Sequence, residues 1–487
     1  MSVYFNEKAK LYKEFLKGKR ADVIGAGISN IPLIKFLLDC ECTVTVRDKK
    51  EREVLCETLD VASFENNGVS FVLGEGYLRN IESDIVYKTP GVRYDNAEIL
   101  EAYDYGTCIT SEMEAFISLC PAKIIAITGS NGKTTTSTLC AKLLEASGHK
   151  VYLGGNIGKP LLCEIDNITP EDFVVLELSS FQLHTVNRFE NAELPFAFIN
   201  FPDSAIITNI SPNHLDWHTS MEEYTESKRA VFDFMKQGGR FVTNADCTIS
   251  QGFAKNAEAM GLETVRFSGC GNQDADIFLR DGEIIKKTGS KEVKLLDAGD
   301  ILIPGRHNVE NYIAAYAAVE PYISEDALYK VATAFTGVSY RLELCREKDG
   351  VKFYDSSIDS SPSRTQAALS AFPESMNKKI NIILGGYDKK IPFDVSFGRA
   401  VCEKVRRAFL CGATAKKIRD AILATPGFNE DNTELIMCDS FDDAVVGACK
   451  AAESGECVLL SPACASFDSF KNFEERGKRF KAIVREL

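Results

Sequence analysis

Short, strand-like apolar runs alternate with segments of helical periodicity along most of this 487-residue chain. In the first hundred residues, the strand-like runs are Asp22–Ile24, Thr43–Val46 and Ile85–Lys88. Strands that alternate with helices pack as a parallel sheet with helices on its faces. This part of the chain is therefore predicted to form a Rossmann-like α/β domain.

The same alternation returns in two later blocks. In the second block, the strand-like runs are Lys123–Ala126, Lys150–Leu153, Phe173–Leu176 and Ala205–Ile210. Residues 240–304 are predicted to be β-rich with an Asp-Gly turn at 281–282, and His307–Val319 is predicted to be helical. In the third block, the runs are Ile380–Leu384, Ala408–Cys411, Glu434–Met437 and Val458–Leu460. Length and pattern together predict three α/β domains over residues 1–110, 111–336 and 337–487, the third with a parallel sheet covered on both faces.

The segment TGSNGKTT, residues 128–135, has the layout of a phosphate-binding loop between a strand and a helix. Glycines let several backbone N–H groups point at one anion, and the helix that follows adds the positive end of its dipole. The predicted ATP-binding residues are Gly129, Ser130, Asn131, Gly132, Lys133, Thr134 and Thr135. Lys133 would reach the β- and γ-phosphates, and the Thr134 hydroxyl would bind Mg²⁺. The loop is shorter than the general pattern, because Ile127 stands where the first glycine would fall. The alternative is a glycine-rich turn with a surface lysine.

Two further signals lie at strand ends. Gly25 and Gly27 follow the first strand, and Asp48 comes about 20 residues later, as in dinucleotide-binding folds. Asn30 stands where a third glycine is usual, so the segment indicates either a nucleotide or nucleotide-sugar site or a plain tight turn. The turn Thr89–Gly91 is expected at the same edge of the sheet. Glu177 ends a buried strand, where α/β enzymes place metal-binding carboxylates.

Composition narrows the class of protein. A net charge of −14 argues against a broad nucleic-acid-binding surface. The amino terminus is polar, and nowhere do about 18 uncharged apolar residues run together, so membrane insertion is not expected. The sixteen cysteines are scattered without a CxxC pair, which is typical of buried thiols in a reducing compartment. We therefore expect a cytoplasmic protein.

Eight motifs occur in a characteristic order: TGSNGKTT, GGNIG, ELSSFQL, NHLDWH, GRHNVEN, YRLE, GGYDKK and SPACASFDSFKNFEERG. Together they resemble the Mur ligases of cell-wall peptidoglycan synthesis, over about residues 21–480. ELSSFQL and the last motif resemble the D-glutamate-adding members in particular. The resemblance implies a monomeric enzyme that uses ATP to add D-glutamate to UDP-N-acetylmuramoyl-L-alanine through an acyl phosphate. The alternatives are another amino-acid-adding ligase of the superfamily, such as a folylpolyglutamate synthase or the diamino-acid-adding enzyme, and a non-catalytic nucleotide-binding regulator.

The resemblance also implies roles for individual residues. Thr134 and Glu177 would bind a first Mg²⁺, and His214 a second one, supported by Lys228 carbamylated by carbon dioxide. Arg341 and Lys389 would close over the transferring phosphate, which makes the expected catalytic set Lys133, Glu177, His214, Lys228, Arg341 and Lys389. His307, Asn308 and Asn311 would contact ATP. The UDP-substrate would lie against Gly25, Gly27, Ser29, Asn30, Asp48, Lys49, Thr89, Gly91 and Asn156, and the amino acid against Ser360, Ser466 and Phe473. Without the resemblance, His214 would be a hydrogen-bonded loop histidine, Lys228 a solvated helix lysine, and His307–Asn311 a helix start with a polar cap.

Two positions depart from the family's pattern. Asn213 precedes His214 where an acidic residue is frequent, and Ile358 stands where the family has a lysine that holds the incoming glutamate. The charge of the amino acid must then be met by Ser360, Ser361 and the local backbone, or by a nearby base such as Arg364 or Lys471.

Overall fold

The computed structural model describes residues 6–27, 30–186, 188–189 and 201–486. Its first sheet contains five parallel strands in the order β3-β2-β1-β4-β5. The strands are β1 (Arg20–Ile24), β2 (Thr43–Asp48), β3 (Ser70–Leu73), β4 (Ile85–Lys88) and β5 (Cys108–Thr110). The helices of this part are α1 (Glu7–Leu16), α2 (Asn30–Asp39), α3 (Arg52–Cys56), α4 (Val61–Asn66), α5 (Ala97–Asp104) and α6 (Glu112–Leu119). The Rossmann-like prediction is confirmed, and β4 has the predicted bounds.

The second sheet has nine strands in the order β14-β13-β12-β11-β10-β9-β6-β8-β7. They are β6 (Lys123–Thr128), β7 (Val151–Gly155), β8 (Phe173–Glu177), β9 (Ser204–Ile207), β10 (Arg240–Asn244), β11 (Glu263–Ser268), β12 (Ile277–Arg280), β13 (Glu283–Thr288) and β14 (Lys291–Asp297). The helices that accompany them are α7 (Lys133–Ala146), α8 (Ser180–Leu183), α9 (Met221–Asp233), α10 (Thr248–Ala259), α11 (Arg306–Val319) and α12 (Ala327–Ala332). Short 3₁₀ turns lie at Leu162–Asn167, Ala298–Asp300 and Glu320–Tyr322.

Two local predictions in this region had different outcomes. Asp281 and Gly282 have φ of 51° and 82° between β12 and β13, as the predicted tight turn requires. The description of residues 240–304 as β-rich was incomplete, because α10 lies among the strands. Phe253, Ala254 and Ala257 are buried at helical spacing on one face of α10, and this packing outweighs the β-rich surroundings.

The third sheet has six strands in the order β15-β16-β20-β17-β18-β19. They are β15 (Glu343–Lys348), β16 (Val351–Asp355), β17 (Ile380–Gly385), β18 (Val405–Cys411), β19 (Glu434–Met437) and β20 (Cys457–Leu460). The helices are α13 (Pro362–Ser370), α14 (Val395–Lys404), α15 (Ala415–Leu423), α16 (Phe441–Ala451) and α17 (Phe473–Glu486), with a 3₁₀ turn at Glu374–Met376. The predicted parallel sheet carries an antiparallel edge, because β15 pairs with β16 as a hairpin. Ile382 and Ile383 belong to different core clusters, so the sheet is covered on both faces.

Contacts divide the chain into two compact units. The first consists of Met1–Leu279, Ile285–Val293 and Asn311–Ala327, and the second of Arg280–Ile284, Lys294–Glu310 and Leu328–Leu487. Within the first unit, one continuous apolar core runs from Tyr12 through Phe116 to Phe253. The first sheet is therefore packed against the part of the chain that carries the phosphate loop. Among the described helices, none is long and apolar enough to span a membrane.

Candidate active site

The phosphate loop connects β6 to α7, as predicted. Gly129 has a φ of 142°, and a Cβ atom there would lie 1.9 Å from Thr208 Oγ1. Gly132, the residue before α7, has a φ of 84°, and its Cβ would lie 2.4 Å from Asn311 Oδ1. Both backbone conformations are unfavourable for residues with a side chain, and neither position has room for one. The two glycines are thus required for the tight turn that aims the start of α7 at the loop.

Neighbouring segments hold the loop in place. The Ser130 N–H donates to the Asn209 carbonyl over 2.8 Å, and the Ser130 hydroxyl donates to the Ser211 carbonyl over 2.9 Å. The same hydroxyl lies 2.8 Å from the Tyr224 hydroxyl on α9. Thr208 Oγ1 donates to the Asn131 carbonyl over 2.6 Å. The loop is therefore preorganised by hydrogen bonds to the segment after β9 and to α9.

Two lysines converge on one carbonyl oxygen of the loop. Lys133 Nζ and Lys228 Nζ each donate to the Gly129 carbonyl over 2.9 Å. Lys228 is only 2% exposed, so it is not the solvated helix lysine of the alternative interpretation. Burial, followed by the positive charge of Lys133, lowers the pKa of Lys228 well below its ordinary value, while Glu177 opposes the change. A lowered pKa increases the fraction of neutral amine, which is the form that reacts with electrophiles.

Glu177 ends β8 next to these lysines. Its side chain is 2% exposed, and its Oε1 accepts a hydrogen bond of 3.0 Å from the Asn156 side chain. Its Oε2 is buried and has no hydrogen-bond partner among the residues that the structure describes. A buried carboxylate oxygen without a donor is costly unless a cation binds it. Glu177 therefore fits a hard divalent cation such as Mg²⁺, which prefers oxygen ligands.

His214 lies on the loop that follows β9. It has a φ of 55°, and its ring lies 4.8 Å from that of Phe181, between ring centres. Partial desolvation, followed by the charges of Lys228 and Lys133, lowers the pKa of His214. A lowered pKa favours the neutral imidazole, which is the form that binds a metal ion. The structure thus brings Lys133, Glu177, His214 and Lys228 into one electrostatic cluster.

Most of the predicted UDP-substrate residues gather at the carboxyl ends of β1, β2 and β4, whereas Asn156 follows β7 in the second sheet. Gly25 has a φ of 86°, and its Cβ would lie 3.2 Å from the Thr89 side chain, so the two turns share an edge as expected. The Asn30 side chain donates to the carbonyls of Ile24, over 3.0 Å, and Gly25, over 2.7 Å. Asp48 accepts from the N–H groups of Ala26, over 2.8 Å, and Lys50, over 2.9 Å. Asn30 and Asp48 thus build the turn. Their contact with a substrate stays a prediction, and Ser29 lies outside the described residues.

Asn311 and Asn308 are both held at the start of α11. Asn311 Oδ1 accepts from the Thr136 hydroxyl over 3.2 Å, which fixes Asn311 against α7. Asn308 donates to the Pro304 carbonyl over 2.6 Å. His307 is exposed in the turn that begins the helix. Contacts between these three residues and ATP stay predictions.

The predicted amino-acid site lies at the carboxyl edge of the third sheet. Lys389 donates to the Ser360 hydroxyl over 3.1 Å, so these two predicted residues are adjacent. Ser466 is buried, and its carbonyl accepts from the N–H groups of Ser469, over 3.1 Å, and Phe470, over 2.8 Å. Phe473 begins α17, and its ring centre lies 5.9 Å from that of Tyr340.

Two basic residues of this region differ in their surroundings. Arg341 is exposed, and its positive charge and that of Arg364 lower the pKa of Asp359 by less than burial raises it. Burial nevertheless raises the pKa of Asp359 to about 6. Arg476, which sequence reasoning missed, is 2% exposed and donates to the carbonyls of Ser357, Cys464 and Ala465 over 2.9, 3.0 and 3.1 Å. It ties the segment of Ile358 to the segment of Ser466. An arginine in a charged helix looks exposed in the sequence, and only its place in the FEERG motif could have indicated otherwise.

Comparisons with known proteins agree with these motifs. The family profile of the Mur ligase middle domain matches residues 127–319, and that of the Mur ligase glutamate ligase domain matches residues 340–464. A UDP-N-acetylmuramoylalanine–D-glutamate ligase of Acetivibrio thermocellus is 46% identical over 99% of this chain and 99% of its own length. The chain belongs to the Mur ligase family. A second such ligase, from Ruminiclostridium cellulolyticum, is 44% identical over 99% of this chain and all of its own length.

Solved Mur ligases share the fold. The crystal structure of UDP-N-acetylmuramate-alanine ligase from Thermotoga maritima has a TM-score of 0.55 and 18% identity, and the match covers 96% of this chain and 99% of that one. The structure of a UDP-N-acetylmuramoyl-L-alanyl-D-glutamate–2,6-diaminopimelate ligase has a TM-score of 0.58 and 18% identity, and the match covers 84% of this chain and 94% of that one. At this identity the likeness concerns the fold, and it confirms the predicted arrangement of a Rossmann-like, a phosphate-loop and a parallel-sheet α/β domain.

Proposed function

We propose that this Mur ligase uses ATP to join D-glutamate to UDP-N-acetylmuramoyl-L-alanine during peptidoglycan synthesis. The names of full-length relatives at 44–46% identity support this activity. The observation that carries a catalytic role is the convergence of Lys133 and Lys228 on the Gly129 carbonyl, beside a Glu177 carboxylate oxygen that lacks a donor. A protein that only binds nucleotide has no evident need for this buried cluster.

The reaction has two steps. An oxygen of the substrate carboxylate attacks the γ-phosphorus of ATP, the bond to the β,γ-bridging oxygen breaks, and ADP leaves. The amine nitrogen of glutamate then attacks the acyl carbon, the bond to the phosphate oxygen breaks, and a proton passes to solvent. Because both steps concentrate negative charge, catalysis consists mainly of positioning and charge stabilisation.

The residues of the chain supply most of this stabilisation. The backbone N–H groups at the start of α7 (Lys133–Ala146) would point at the phosphates, and Lys133 would neutralise the oxygens of the transferring group. Thr134 and Glu177 would hold one Mg²⁺ and His214 a second, and bound Mg²⁺ supplies further charge neutralisation. Arg341 and Lys389 would add positive charge from the third domain.

Lys228 is proposed to be carbamylated. The ammonium group would first lose a proton. The neutral amine would then attack the carbon of carbon dioxide, forming an N–C bond as one C=O π bond opens onto oxygen, and a second proton would leave, so that the cation becomes an anion. Support comes from its burial and from its place beside Lys133 and Glu177. The anion would interact favourably with Lys133 and with a cation at His214.

The domain roles follow from this proposal. Residues 1–110 would bind the UDP-substrate, residues 111–336 ATP, and residues 337–487 the amino acid. Use of ATP as a co-substrate supports a cytoplasmic location, and the monomeric state stays a prediction.

One assay tests the activity and the substrate together. Phosphate release is measured with ATP while UDP-N-acetylmuramoyl-L-alanine and D-glutamate are supplied separately and together. We expect release only when both are present. Product formed from L-lysine or diaminopimelate instead of D-glutamate would assign another amino-acid-adding ligase, for which Ile358 in place of the family lysine would be the structural reason. Nucleotide binding without any turnover would indicate a regulator.

A further inference from the structure

Arg93 connects the first sheet to the central part of the chain. It lies just after the Thr89–Gly91 turn, and its Nη2 donates to Glu223 Oε1 over 2.6 Å. Its Nη1 donates to Glu223 Oε2 over 3.3 Å and to the Trp217 carbonyl over 3.2 Å. The guanidinium lies over the Trp217 ring, 5.0 Å from its centre, and the indole N–H returns a hydrogen bond of 3.1 Å to the Gly91 carbonyl. The Thr89–Gly91 turn is thus held by hydrogen bonds that Arg93 donates and by one that the Gly91 carbonyl accepts from Trp217. We call it the substrate turn.

Glu223 is a fixed partner for this arginine. It lies in the first turn of α9, where the Thr219 N–H donates to its Oε2 over 2.6 Å. The hydrogen bonds from Arg93 hold the pKa of Glu223 well below its ordinary range. The carboxylate therefore stays charged, and charge-assisted paired hydrogen bonds are among the strongest and most directional available to a side chain.

Helix α9 connects Glu223 to the phosphate loop and to Lys228. Tyr224, next to Glu223, hydrogen-bonds Ser130 of the phosphate loop over 2.8 Å. Lys228, on the same helix, lies over the Tyr224 ring at 4.9 Å from its centre. The first domain's substrate turn, the phosphate loop and Lys228 are therefore linked through a single helical segment.

A metal centre is the rival interpretation of the same cluster. His184, His218 and Glu223 place ligand atoms within 4.8 Å of one another. Both Glu223 oxygens, however, already accept hydrogen bonds from Arg93, and the charges of Arg93 and Arg188 both act on His184. A metal ion would have to displace a guanidinium and remain close to these positive charges. The arrangement favours a hydrogen-bonded link over a metal site.

We propose that Arg93 is a positioning residue that fixes the substrate turn relative to His214 and Lys228, and so delivers the substrate carboxylate to the γ-phosphate. This inference rests on the proposed function. A UDP-substrate anchored in the first domain must reach a phosphate bound in the second, and a misplacement of about 1 Å can cost about a hundredfold in rate. The link acts on alignment, since Arg93 itself need not touch the reacting atoms.

The kinetic test compares Arg93→Ala, Arg93→Lys and Glu223→Gln with a matched control. Arg52→Ala removes an exposed arginine of the same domain that pairs with Glu65 through two bonds of 2.7 and 2.6 Å. We expect Arg93→Ala to lower kcat/KM for the UDP-substrate by about tenfold to a hundredfold while KM for ATP changes less than about twofold. Arg93→Lys should recover part of the loss, and Glu223→Gln should add little to Arg93→Ala in the double variant. Equal kcat/KM in Arg93→Ala and the control would overturn the proposal.

A second readout, acrylamide quenching of the protein without substrate, does not depend on which substrate the enzyme uses. Trp217 is the only tryptophan of the chain, so emission that is excited selectively from tryptophan, and not from the tyrosines, reports on this contact. Acrylamide should quench Trp217 more strongly in Arg93→Ala than in the wild-type protein or in Arg52→Ala, and UDP-substrate should reduce quenching only when Arg93 is present. If wild-type protein were inactive with the expected substrates but Arg93→Ala still increased quenching in the substrate-free protein, the proposed function would fail and the link would stand. Unchanged quenching in a folded Arg93→Ala or Arg93→Lys variant would refute the link itself.

Discussion

The side-chain amide of Asn156 donates a 3.0 Å hydrogen bond to one oxygen of Glu177, and the backbone N–H of Asn156 donates to the Glu177 carbonyl over 2.7 Å. These two bonds fix both the position of the carboxylate and the direction of its second oxygen. Asn156 was expected to touch the sugar of the substrate, and that contact stays a prediction. Its observed contact orients the carboxylate that would bind Mg²⁺.

Glu177→Gln should separate catalysis from stability. Glutamine keeps the shape and the bond to Asn156 but loses the charge, so kcat should fall by about a hundredfold or more. The thermal midpoint should not fall, because a buried charge without a full set of donors is removed. Initial rates and thermal melts check both parts. Glu145→Gln, an exposed change on α7, is the control and should leave both quantities unchanged. Wild-type turnover in Glu177→Gln would remove this carboxylate from the mechanism.

Lys228→Ala should be nearly inactive, because it removes the group expected to become an anion beside His214. A short carboxylic acid added to the assay should restore part of the activity, as it replaces that anion. Isotopically labelled carbon dioxide should give a carbamate signal in wild-type protein that is absent from the variant. Lys142→Ala, an exposed lysine of α7, should keep full activity. An active Lys228→Ala protein would disprove the carbamylation proposal.

Ser466→Ala should weaken binding of the amino acid. Loss of one hydrogen bond to a charged group is expected to raise KM for D-glutamate by about tenfold, with much less effect on KM for ATP. Ile358→Lys tests the same pocket in the opposite direction, because it restores the cation that the family pattern has there. Steady-state kinetics with both substrates varied checks the two variants. An unchanged KM for D-glutamate in Ser466→Ala would place the amino acid elsewhere.

Glu112 should make stability depend on pH. Burial raises the pKa of Glu112 from 4.5 to about 7, although the Leu162 N–H donates to it over 3.0 Å. Between these values the folded protein binds more protons than the unfolded chain, so the free energy of unfolding falls as pH rises. The full difference corresponds to about 3 kcal/mol. In urea unfolding at about pH 5 and about pH 8, Glu112→Gln should lose less stability than wild-type protein. Equal losses in the two proteins would show that Glu112 does not titrate in this range.

Much of the fold could be predicted because its signals are local. The bounds of β4 and β19 match the apolar runs Ile85–Lys88 and Glu434–Met437, since each run is closed by turn-forming or polar residues. The phosphate loop could also be predicted from the sequence, because its glycines have a conformational role that no other residue can fill.

The missed features depend on contacts between distant parts of the chain. Arg93 and Glu223 are 130 residues apart, and Arg476 and Ser357 are 119 residues apart. No spacing rule relates such pairs, so in the sequence an arginine that is held by distant partners cannot be told from a surface arginine. The antiparallel pairing of β15 was missed because the direction of an edge strand depends on a short hairpin instead of its own composition.

The last strand of the chain lies inside the third sheet. β20 pairs with β16 on one side and with β17 on the other, so the five strands made earlier cannot close into one sheet until residues 457–460 have been synthesised. During translation, the edges of β16 and β17 that will pair with β20 stay unpaired while a stretch of chain about as long as a small domain is synthesised. Unpaired strand edges of this kind promote aggregation. A ribosome that stopped at α16 would release a protein with a complete phosphate loop and an open third sheet. Such a truncated chain would be a target for proteolysis instead of a slower enzyme.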